Sequence, residues 1–352
     1  METSSQQVLY FYTAESPFIS KDIEILRSRY KVKIFHFNLY NKKGLALILV
    51  RQMLFLLRNI LISKITITQF AGLHSVLPVL VSKLFFRKSV LVAGGTDCVS
   101  FPSIHYGNFS EPLNAKLTAF SFRHASLILP VHETLIDYSY TYQNQDLPRQ
   151  GLRNFVPGLK TKIEVVFNGY DSSFWSRGEA PKEKATFITV LGHVNPRFTF
   201  KLKGIDLIVE AARAFPDAGF SIVGGIALNL EKCPANLKLL PNIWGEELVK
   251  LFAGKRFYVQ LSMSEGFPNA LSEAMLCECV PIVSAVGAMP FIAGEDAFVL
   301  RKKDNTELVQ LIRNALEDKD LEQKGKHARS RVKELFTFEK RKAAFLNAVD
   351  KL

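Results

Sequence analysis

Short apolar runs alternate with longer helical patterns along almost the whole chain. In the first half, strand-like runs at 8–12, 32–37, 65–68 and 90–93 are each followed by a segment with helical periodicity, such as 73–84. Consecutive parallel strands need a crossover of about a dozen residues or more, which is usually a helix. The alternation therefore predicts an α/β protein in which helices cover parallel sheets.

A second series of the same kind begins after residue 184, with strand-like runs at 220–223 and 257–261. A chain of 352 residues exceeds the size of most single cores, and two domains suit it better. The join is placed near 170–184, because 165–169 still has the pattern of a strand and turn of the first domain. We therefore predict two doubly wound domains and a terminal helix, at 1–175, 185–335 and 336–352.

The positive charge of the chain is concentrated near its start. The net charge is +12, and residues 1–90 carry 13 Lys and Arg against 4 Asp and Glu. Such a field favours an anionic partner, which could be nucleic acid, acidic phospholipid or a phosphorylated acceptor. No nucleic-acid recognition motif accompanies the basic residues, so we do not expect nucleic acid to be the partner.

The most hydrophobic segment, 45–62, contains four polar or basic interruptions: Arg51, Gln52, Arg58 and Asn59. These interruptions argue against a membrane-spanning helix. The segment also adjoins Lys42, Lys43 and Lys64, and its apolar face would suit the surface of an anionic membrane. A helix that packs on the core with basic flanks is the alternative. Both interpretations remain open at this point.

Cysteine use and the first residues favour a reducing compartment. Cys98, Cys233, Cys277 and Cys279 show no spacing typical of a disulfide framework or a zinc site. The opening METSSQQ is polar and lacks the basic and apolar regions of a signal peptide. We therefore expect a cytoplasmic protein.

Residues 264–275, SEGFPNALSEAM, combine a glycine-containing loop with the start of a helix and follow the apolar run 257–261. Asn269 is the predicted cap of that helix. A strand, loop and helix N-terminus in this order form an anion site, because unpaired backbone N–H groups and the helix dipole both favour a phosphate. Glu265 and Glu273 would repel a phosphate but can accept hydrogen bonds from hydroxyls. The combination predicts a ligand with both a diphosphate and sugar rings, which is a nucleotide sugar.

Three motifs, and their order along the chain, resemble the retaining GT-B glycosyltransferases of family 4, the glycosyl transferases group 1. The two glutamates of 264–275 resemble the E-x7-E element of that family, 203–211 (KGIDLIVEA) its K-G-x-D helix start, and 165–171 (VVFNGYD) the segment that closes its first domain. Gly94-Gly95-Thr96-Asp97 followed by Tyr106-Gly107 resembles a bacterial subgroup that assembles surface polysaccharide or lipopolysaccharide. The resemblance covers nearly the whole chain.

The resemblance implies a GT-B fold, in which two Rossmann-like domains face each other across a cleft. The domain at 1–175 would bind the acceptor and the domain at 185–335 the donor, while the helix at 336–352 would pack back on the first domain. It also implies that Glu265 lies near the hydroxyls of the donor sugar. The implied donor-binding residues are Gly266, Phe267, Pro268, Asn269, Ala270, Leu271 and Glu273, of which Glu273 would bind the nucleotide ribose.

The leaving diphosphate gains negative charge, so transfer requires fixed positive charge or a metal at that oxygen. The only Asp-x-Asp sequence, at 318–320, reads as a solvated surface turn, so we expect no metal and no cofactor. The family supplies a lysine and an arginine instead, for which Lys203 and Arg197 are the candidates, with Lys201 a competitor of Arg197. The arginine is less clear because Gly192-His193 stands where relatives have Gly-Arg. Asp97 would contact a sugar, or else serve as an ordinary turn residue.

Together these features predict a metal-independent, hexosyltransferase-type enzyme. It would transfer a sugar from a nucleoside-diphosphate sugar to a glycan or lipid-linked acceptor, with retention of the anomeric configuration. Synthesis of surface polysaccharide or lipopolysaccharide is the expected role, in the cytoplasm or peripherally on the inner face of the membrane. A nucleotide-sugar epimerase of the same architecture and a non-catalytic nucleotide-sugar-binding protein are the alternatives.

Overall fold

The computed structural model describes residues 6–38, 44–179, 181–192, 194–228, 230 and 232–352. Lys42, Lys43 and His193, which entered the sequence analysis, lie outside the described residues. The chain folds into two parallel six-stranded sheets with helices packed against them, so the predicted α/β class is confirmed.

The first sheet is built by the first half of the chain. Its six strands are β1 (Gln7–Tyr12), β2 (Lys31–His36), β3 (Ser63–Gln69), β4 (Lys88–Ala93), β5 (Leu127–Pro130) and β8 (Lys162–Ile163). Two further short strands, β6 (Tyr138–Ser139) and β7 (Arg149–Gln150), pair with each other outside this sheet. The helices between them are α1 (Pro17–Arg27), α2 (Leu45–Asn59), α3 (Leu73–Leu84), α4 (Pro112–His124) and α5 (Leu152–Phe155). The order β2-β1-β3-β4-β5-β8 reverses direction between β1 and β3.

The second sheet repeats this plan. Its strands are β9 (Glu183–Val190), β10 (Gly219–Val223), β11 (Leu237–Leu240), β12 (Lys255–Gln260), β13 (Val280–Ser284) and β14 (Phe298–Leu300). Its helices are α6 (Thr199–Leu202), α7 (Ile205–Ala214), α8 (Gly245–Gly254), α9 (Asn269–Leu276), α10 (Met289–Ala293), α11 (Asn305–Glu317) and α12 (Leu321–Leu335). The order β11-β10-β9-β12-β13-β14 places the reversal between β9 and β12, which is where a doubly wound sheet binds its ligand.

Three stacked rings hold the centre of the second sheet in register. Phe187 on β9 pairs with Phe220 on β10 and Phe257 on β12, and its ring lies 4.6 Å and 4.8 Å from theirs. Cross-strand aromatic pairs of this kind stabilise a sheet. They fix the relative positions of β9 and β12, and therefore of the two loops that follow these strands.

The chain ends with α13 (Phe338–Asp350), which packs on the first domain. Phe345, Ala348 and Val349 are buried in the same apolar cluster as β1. The Arg341 guanidinium donates to both carboxylate oxygens of Asp22 on α1, each at 2.7 Å. The chain therefore crosses between the domains twice.

The two crossings lie side by side. The backbone N–H of Tyr170 donates to the carbonyl of Phe336 at 2.9 Å, and that of Phe338 donates to the carbonyl of Tyr170 at 3.0 Å. Together they form a short parallel bridge between Tyr170 and Thr337.

Two expectations about the strands need correction. The predicted strand at 165–169 is replaced by β8, which is only two residues long and lies just before it. The following residues still run along β5, since the N–H of Val166 bonds to the carbonyl of Pro130 at 3.0 Å. The periodicity also missed β11 and β14, which are short strands at the edge of the second sheet.

Helix α2 does not behave as a core helix. Only Gln52, Leu56 and Asn59 along it are buried, so only one narrow side of the helix packs on the core. Leu45–Ile62, which is α2 and the single turn after it, is long and apolar enough by length and composition to cross a membrane. It is the only such stretch among the residues that the structure describes.

Candidate active site

Lys203 and Glu265 meet at the reversal point of the second sheet. Lys203 follows α6 on the loop after β9, and Glu265 lies on the loop after β12. The Lys203 ammonium is 2.6 Å from Oε1 of Glu265. The same oxygen accepts from the Gln260 amide and the Ser262 hydroxyl, each at 2.7 Å. Burial opposes the charge of the ammonium, but the carboxylate outweighs it and raises the pKa of Lys203.

The local backbone brings these two loops together. Gly204 has φ +66°, and a Cβ there would lie 2.2 Å from the carbonyl oxygen of Leu261. Only glycine permits this approach and this left-handed conformation together. The N–H of Met263 also donates to the carbonyl of Leu202 at 2.7 Å. Lys203 is therefore held against the end of β12.

The N-terminus of α9 points into the same site, but its cap residue differs from the predicted one. Asn269 was predicted to cap the helix, but the cap position is Pro268, and no side chain caps α9. The Asn269 Oδ1 instead accepts from the Asn168 amide at 3.1 Å and the Tyr170 hydroxyl at 2.8 Å. These bonds join the start of α9 to the segment at the first crossing. The first-turn N–H groups have no partners within the helix and can bind an anion; Pro268 has no N–H to offer.

Glu273, on the next turn of α9, has a strongly perturbed carboxyl group. Burial raises its pKa to about 7, and the charge of Lys21 acts in the opposite direction. Lys21 lies on α1 in the first domain, donates to the carbonyl of Gly169 at 3.4 Å and stands 5.2 Å from the centre of the Tyr170 ring. The two domains thus place opposite charges on the two sides of one site.

Two adjoining cavities occupy the cleft. The first, of about 390 Å³, is lined by Lys203, Glu265 and the start of α9. The second, of about 1050 Å³, extends past Trp175 and Trp244. Lys21 and Glu273 line both cavities, so the two lie next to each other at these residues. Their combined form suits an elongated ligand with a charged centre and an aromatic end.

Glycines from the two domains meet beside Glu265. A Cβ on Gly266 would lie 2.0 Å from the carbonyl oxygen of Gly94. Asp97 shapes the loop that carries Gly94, because its buried carboxylate accepts from the N–H groups of Ala71, Gly94 and Gly95 at 3.0–3.2 Å. This geometry agrees with the turn-residue alternative for Asp97. Burial, partly offset by these bonds, raises its pKa.

The predicted arginine does not line the cavity that Lys203 lines. Arg197 is exposed on the loop between β9 and α6, and its backbone N–H bonds to the Asn195 side chain at 3.0 Å. Neither Arg197 nor Lys201 lines the cavities. Arg341 does, but its guanidinium is paired with Asp22. Lys21 and Lys203 are therefore the lysines that line the first cavity.

Lys21 and Trp244 are among the cavity residues that sequence analysis missed. Lys21 gave no signal, because it reaches the site from the first domain across a large separation in sequence. Trp244 immediately precedes α8 and has 70% of its surface exposed, which is unusual for a tryptophan. An isolated tryptophan before a helix could have been noticed, although its position near Glu273 could not have been foreseen.

The second domain is similar to one family of glycosyltransferases. Residues 171–331 match the family model Glycosyl transferases group 1. The D-inositol 3-phosphate glycosyltransferase of Mycobacterium sp. (strain KMS) is 24% identical over 42% of this chain. The match spans only 37% of the length of that relative.

Two solved structures show the fold over nearly the full length. Anabaena Alr3699/HepE in complex with UDP and glucose superposes with a TM-score of 0.72 at 14% identity, covering 99% of this chain and 100% of its own. Sucrose-phosphate synthase from Thermosynechococcus elongatus gives a TM-score of 0.74 at 14% identity, with 98% of each chain covered. The chain therefore has the GT-B fold, and its residues 171–331 are similar to the glycosyl transferases group 1 family.

Proposed function

We propose that this protein transfers a sugar from a nucleoside-diphosphate sugar to an acceptor hydroxyl. The observation that carries the proposal is the Lys203–Glu265 pair, which lies at the reversal point of the second sheet and beside the N-terminus of α9. This arrangement places a cation, a hydrogen-bond acceptor and unpaired backbone N–H groups around one cavity. A diphosphate linked to a sugar requires all three.

The donor would span both cavities. The diphosphate would bind the N–H groups of the first turn of α9, and Glu265 would accept hydrogen bonds from the sugar hydroxyls. Glu273 would accept from the ribose hydroxyls, and its ionised form is the better acceptor. The base would then extend into the larger cavity toward Trp244. Because UDP is bound in the similar Anabaena structure, a uridine nucleotide is the first donor to test.

Lys203 would act on the leaving group. As the bond between the anomeric carbon and the diphosphate oxygen breaks, negative charge builds on that oxygen, and a fixed ammonium stabilises it. The acceptor oxygen would form its new bond on the face that the diphosphate leaves, and its proton would pass to a diphosphate oxygen. This path retains the anomeric configuration, needs no side-chain nucleophile and, with Lys203 in place, no metal.

The acceptor would be a glycan or a lipid-linked sugar bound by the first domain. We propose a hexosyltransferase of family 4 type that acts in surface polysaccharide or lipopolysaccharide synthesis, on the cytoplasmic side of the membrane. The glycine loop at 94–97 is the feature that favours this subgroup. Arg197 would join Lys203 at the diphosphate only if its loop folds over the bound donor.

Thermal-shift screening against a panel of nucleotide sugars tests the donor. The best donor is then incubated with and without sugar acceptors, and the released nucleoside diphosphate and the product anomer are measured. We expect stabilisation by one donor, acceptor-dependent release and a retained anomer. Conversion of the donor without acceptor would instead identify an epimerase, and binding without any turnover a non-catalytic protein.

A further inference from the structure

Helix α2 is oriented with its aliphatic side outward. Leu47, Val50, Leu54 and Leu57 are all exposed, and this stripe continues to Leu61 in the following turn. Their spacing of three or four residues places them in one line along the helix. The inner side instead buries two amides. Gln52 donates to the carbonyl of His74 at 2.8 Å, and Asn59 accepts from Lys33 at 2.6 Å.

The stripe continues onto a neighbouring turn of the first domain. Leu61, Ile62 and Phe86 surround one shallow depression, and they are 62%, 67% and 96% exposed. The Arg87 guanidinium donates to the carbonyl of Leu61, which holds the two turns together. We call this surface the apolar face; it comprises Leu47, Val50, Leu54, Leu57, Leu61, Ile62 and Phe86. Monomeric proteins seldom expose so many large apolar side chains together.

The charged side chains that α2 and the turn at 86–88 bring to the apolar face are all basic. Between Glu24 and Asp97 the chain has no Asp or Glu, but it has twelve Lys and Arg. Arg51 and Arg58 are exposed on α2, and Lys64, Arg87 and Lys88 line the depression beside Phe86. An aliphatic stripe with basic residues along its borders is the pattern of a helix that lies at the interface of an anionic membrane.

We propose that the apolar face docks on an anionic lipid bilayer, with α2 parallel to the membrane plane. The leucines and Phe86 enter the boundary between headgroups and acyl chains, and the surrounding cations contact the phosphates. The buried amides of Gln52 and Asn59 keep the inner side of α2 on the domain, so the helix lies on the bilayer and does not span it. This inference does not depend on the transfer reaction, because it concerns binding to vesicles alone.

Flotation of the full chain with vesicles tests the proposal. One set contains phosphatidylcholine alone, and the other contains phosphatidylcholine and phosphatidylglycerol. We expect flotation with the anionic vesicles and little with the neutral ones. Leu57→Glu should reduce the partition coefficient about tenfold, because a leucine that would enter the bilayer is replaced by a charge. Arg58→Glu should weaken it about fivefold or more, mainly at low salt.

Matched variants elsewhere separate docking from general effects. Leu147, on the β6–β7 hairpin, is 44% exposed against 48% for Leu57, so Leu147→Glu is the apolar control. Lys250 is exposed on α8, and Lys250→Glu is the charge control. Both controls should float like the wild type, and all four variants should keep the wild-type circular dichroism spectrum.

Three results would overturn the proposal. The first is equal flotation with neutral and anionic vesicles, and the second is wild-type flotation of Leu57→Glu. The third is a dimer in solution that Leu57→Glu converts to a monomer, because the apolar face would then join two copies of this chain. A protein that floats as expected but turns over no nucleotide sugar would contradict the proposed function and leave this inference standing.

Discussion

The ammonium of Lys203 lies 2.6 Å from Oε1 of Glu265, although 62 residues separate the two in sequence. The carboxylate raises the pKa of Lys203 against the effect of burial. The lysine therefore stays cationic at neutral pH, and its charge is held at one position in the cleft. A fixed charge of this kind costs little reorganisation when negative charge develops beside it.

Replacement of Lys203 by alanine should mainly slow the reaction. Because the ammonium acts on charge that appears in the transition state, kcat should fall about a hundredfold while the donor KM changes little. Steady-state kinetics with the identified donor measure both constants. Lys250→Ala, an exposed lysine on α8, is the control and should match the wild type. A rise in KM with unchanged kcat would mean that Lys203 only binds the donor.

Replacement of Glu273 by glutamine should stabilise the protein at high pH while weakening donor binding. Burial raises the pKa of Glu273 from 4.5 to about 7, so the folded state loses stability as pH rises through this window. The variant avoids that cost and should gain about 2 kcal/mol of unfolding free energy near pH 8. Chemical denaturation near pH 8 and pH 4 measures it. The gain should vanish at the lower pH, where the carboxyl is protonated in both states.

Lys21 should set the pH at which the donor binds. The cation lowers the pKa of Glu273 against burial, so Lys21→Met should raise that pKa further. Since the ionised carboxylate is the better acceptor for ribose hydroxyls, the rise of donor affinity with pH should move to higher pH. Calorimetric titration over a pH series measures the midpoint. Arg27 is an exposed cation on the same helix, and Arg27→Met should leave the pH midpoint unchanged. An unchanged midpoint in Lys21→Met would show that Lys21 does not control the ionisation of Glu273.

Gly266→Ala should hold the domains apart. The added methyl group would lie 2.0 Å from the carbonyl oxygen of Gly94, which belongs to the other domain. Misplacement by about 1 Å can cost about a hundredfold in rate, so kcat should drop and the radius of gyration from X-ray scattering should increase. Gly254→Ala, where no neighbouring atom lies within 4 Å, is the control. Wild-type rate and scattering for Gly266→Ala would show that this contact is not needed.

Arg197 offers a separate test of loop closure. Its side chain is exposed, so Arg197→Ala should leave the stability of the protein unchanged without donor. If the loop folds over the diphosphate, the same variant should lower kcat about tenfold or more, and Lys201→Ala should not. Equal kinetics for both variants and the wild type would remove Arg197 from the reaction.

The local geometry around Lys203 and Glu265 could be predicted because its parts are local in sequence. The run before Glu265 is a strand and the segment after it a helix, so the pattern placed a loop between them correctly. Lys203 precedes a helix that starts at Ile205, as its motif indicated. Each of these features depends on neighbouring residues and on backbone geometry that short motifs specify.

The rest of the site depends on contacts between distant segments. Lys21 and Glu273 line the same cavities only because the two domains face each other, and no short pattern carries that information. Asn269 is of a residue type that often caps helices. Its side chain instead accepts hydrogen bonds from Asn168 and Tyr170 of the other domain. The direction in which α2 faces was left open for the same kind of reason, since an apolar stripe does not state which way it faces.

The paired crossings at Tyr170 and Thr337 limit how the cleft can open. A single covalent link would allow the domains to twist freely, but two links joined by backbone hydrogen bonds resist rotation about the line between the domains. Bending at this bridge is the motion that stretches the fewest bonds. The domains should therefore open by a hinge motion about one axis. Gly94 and Gly266 would separate and return along the same path each time the cleft opens and closes.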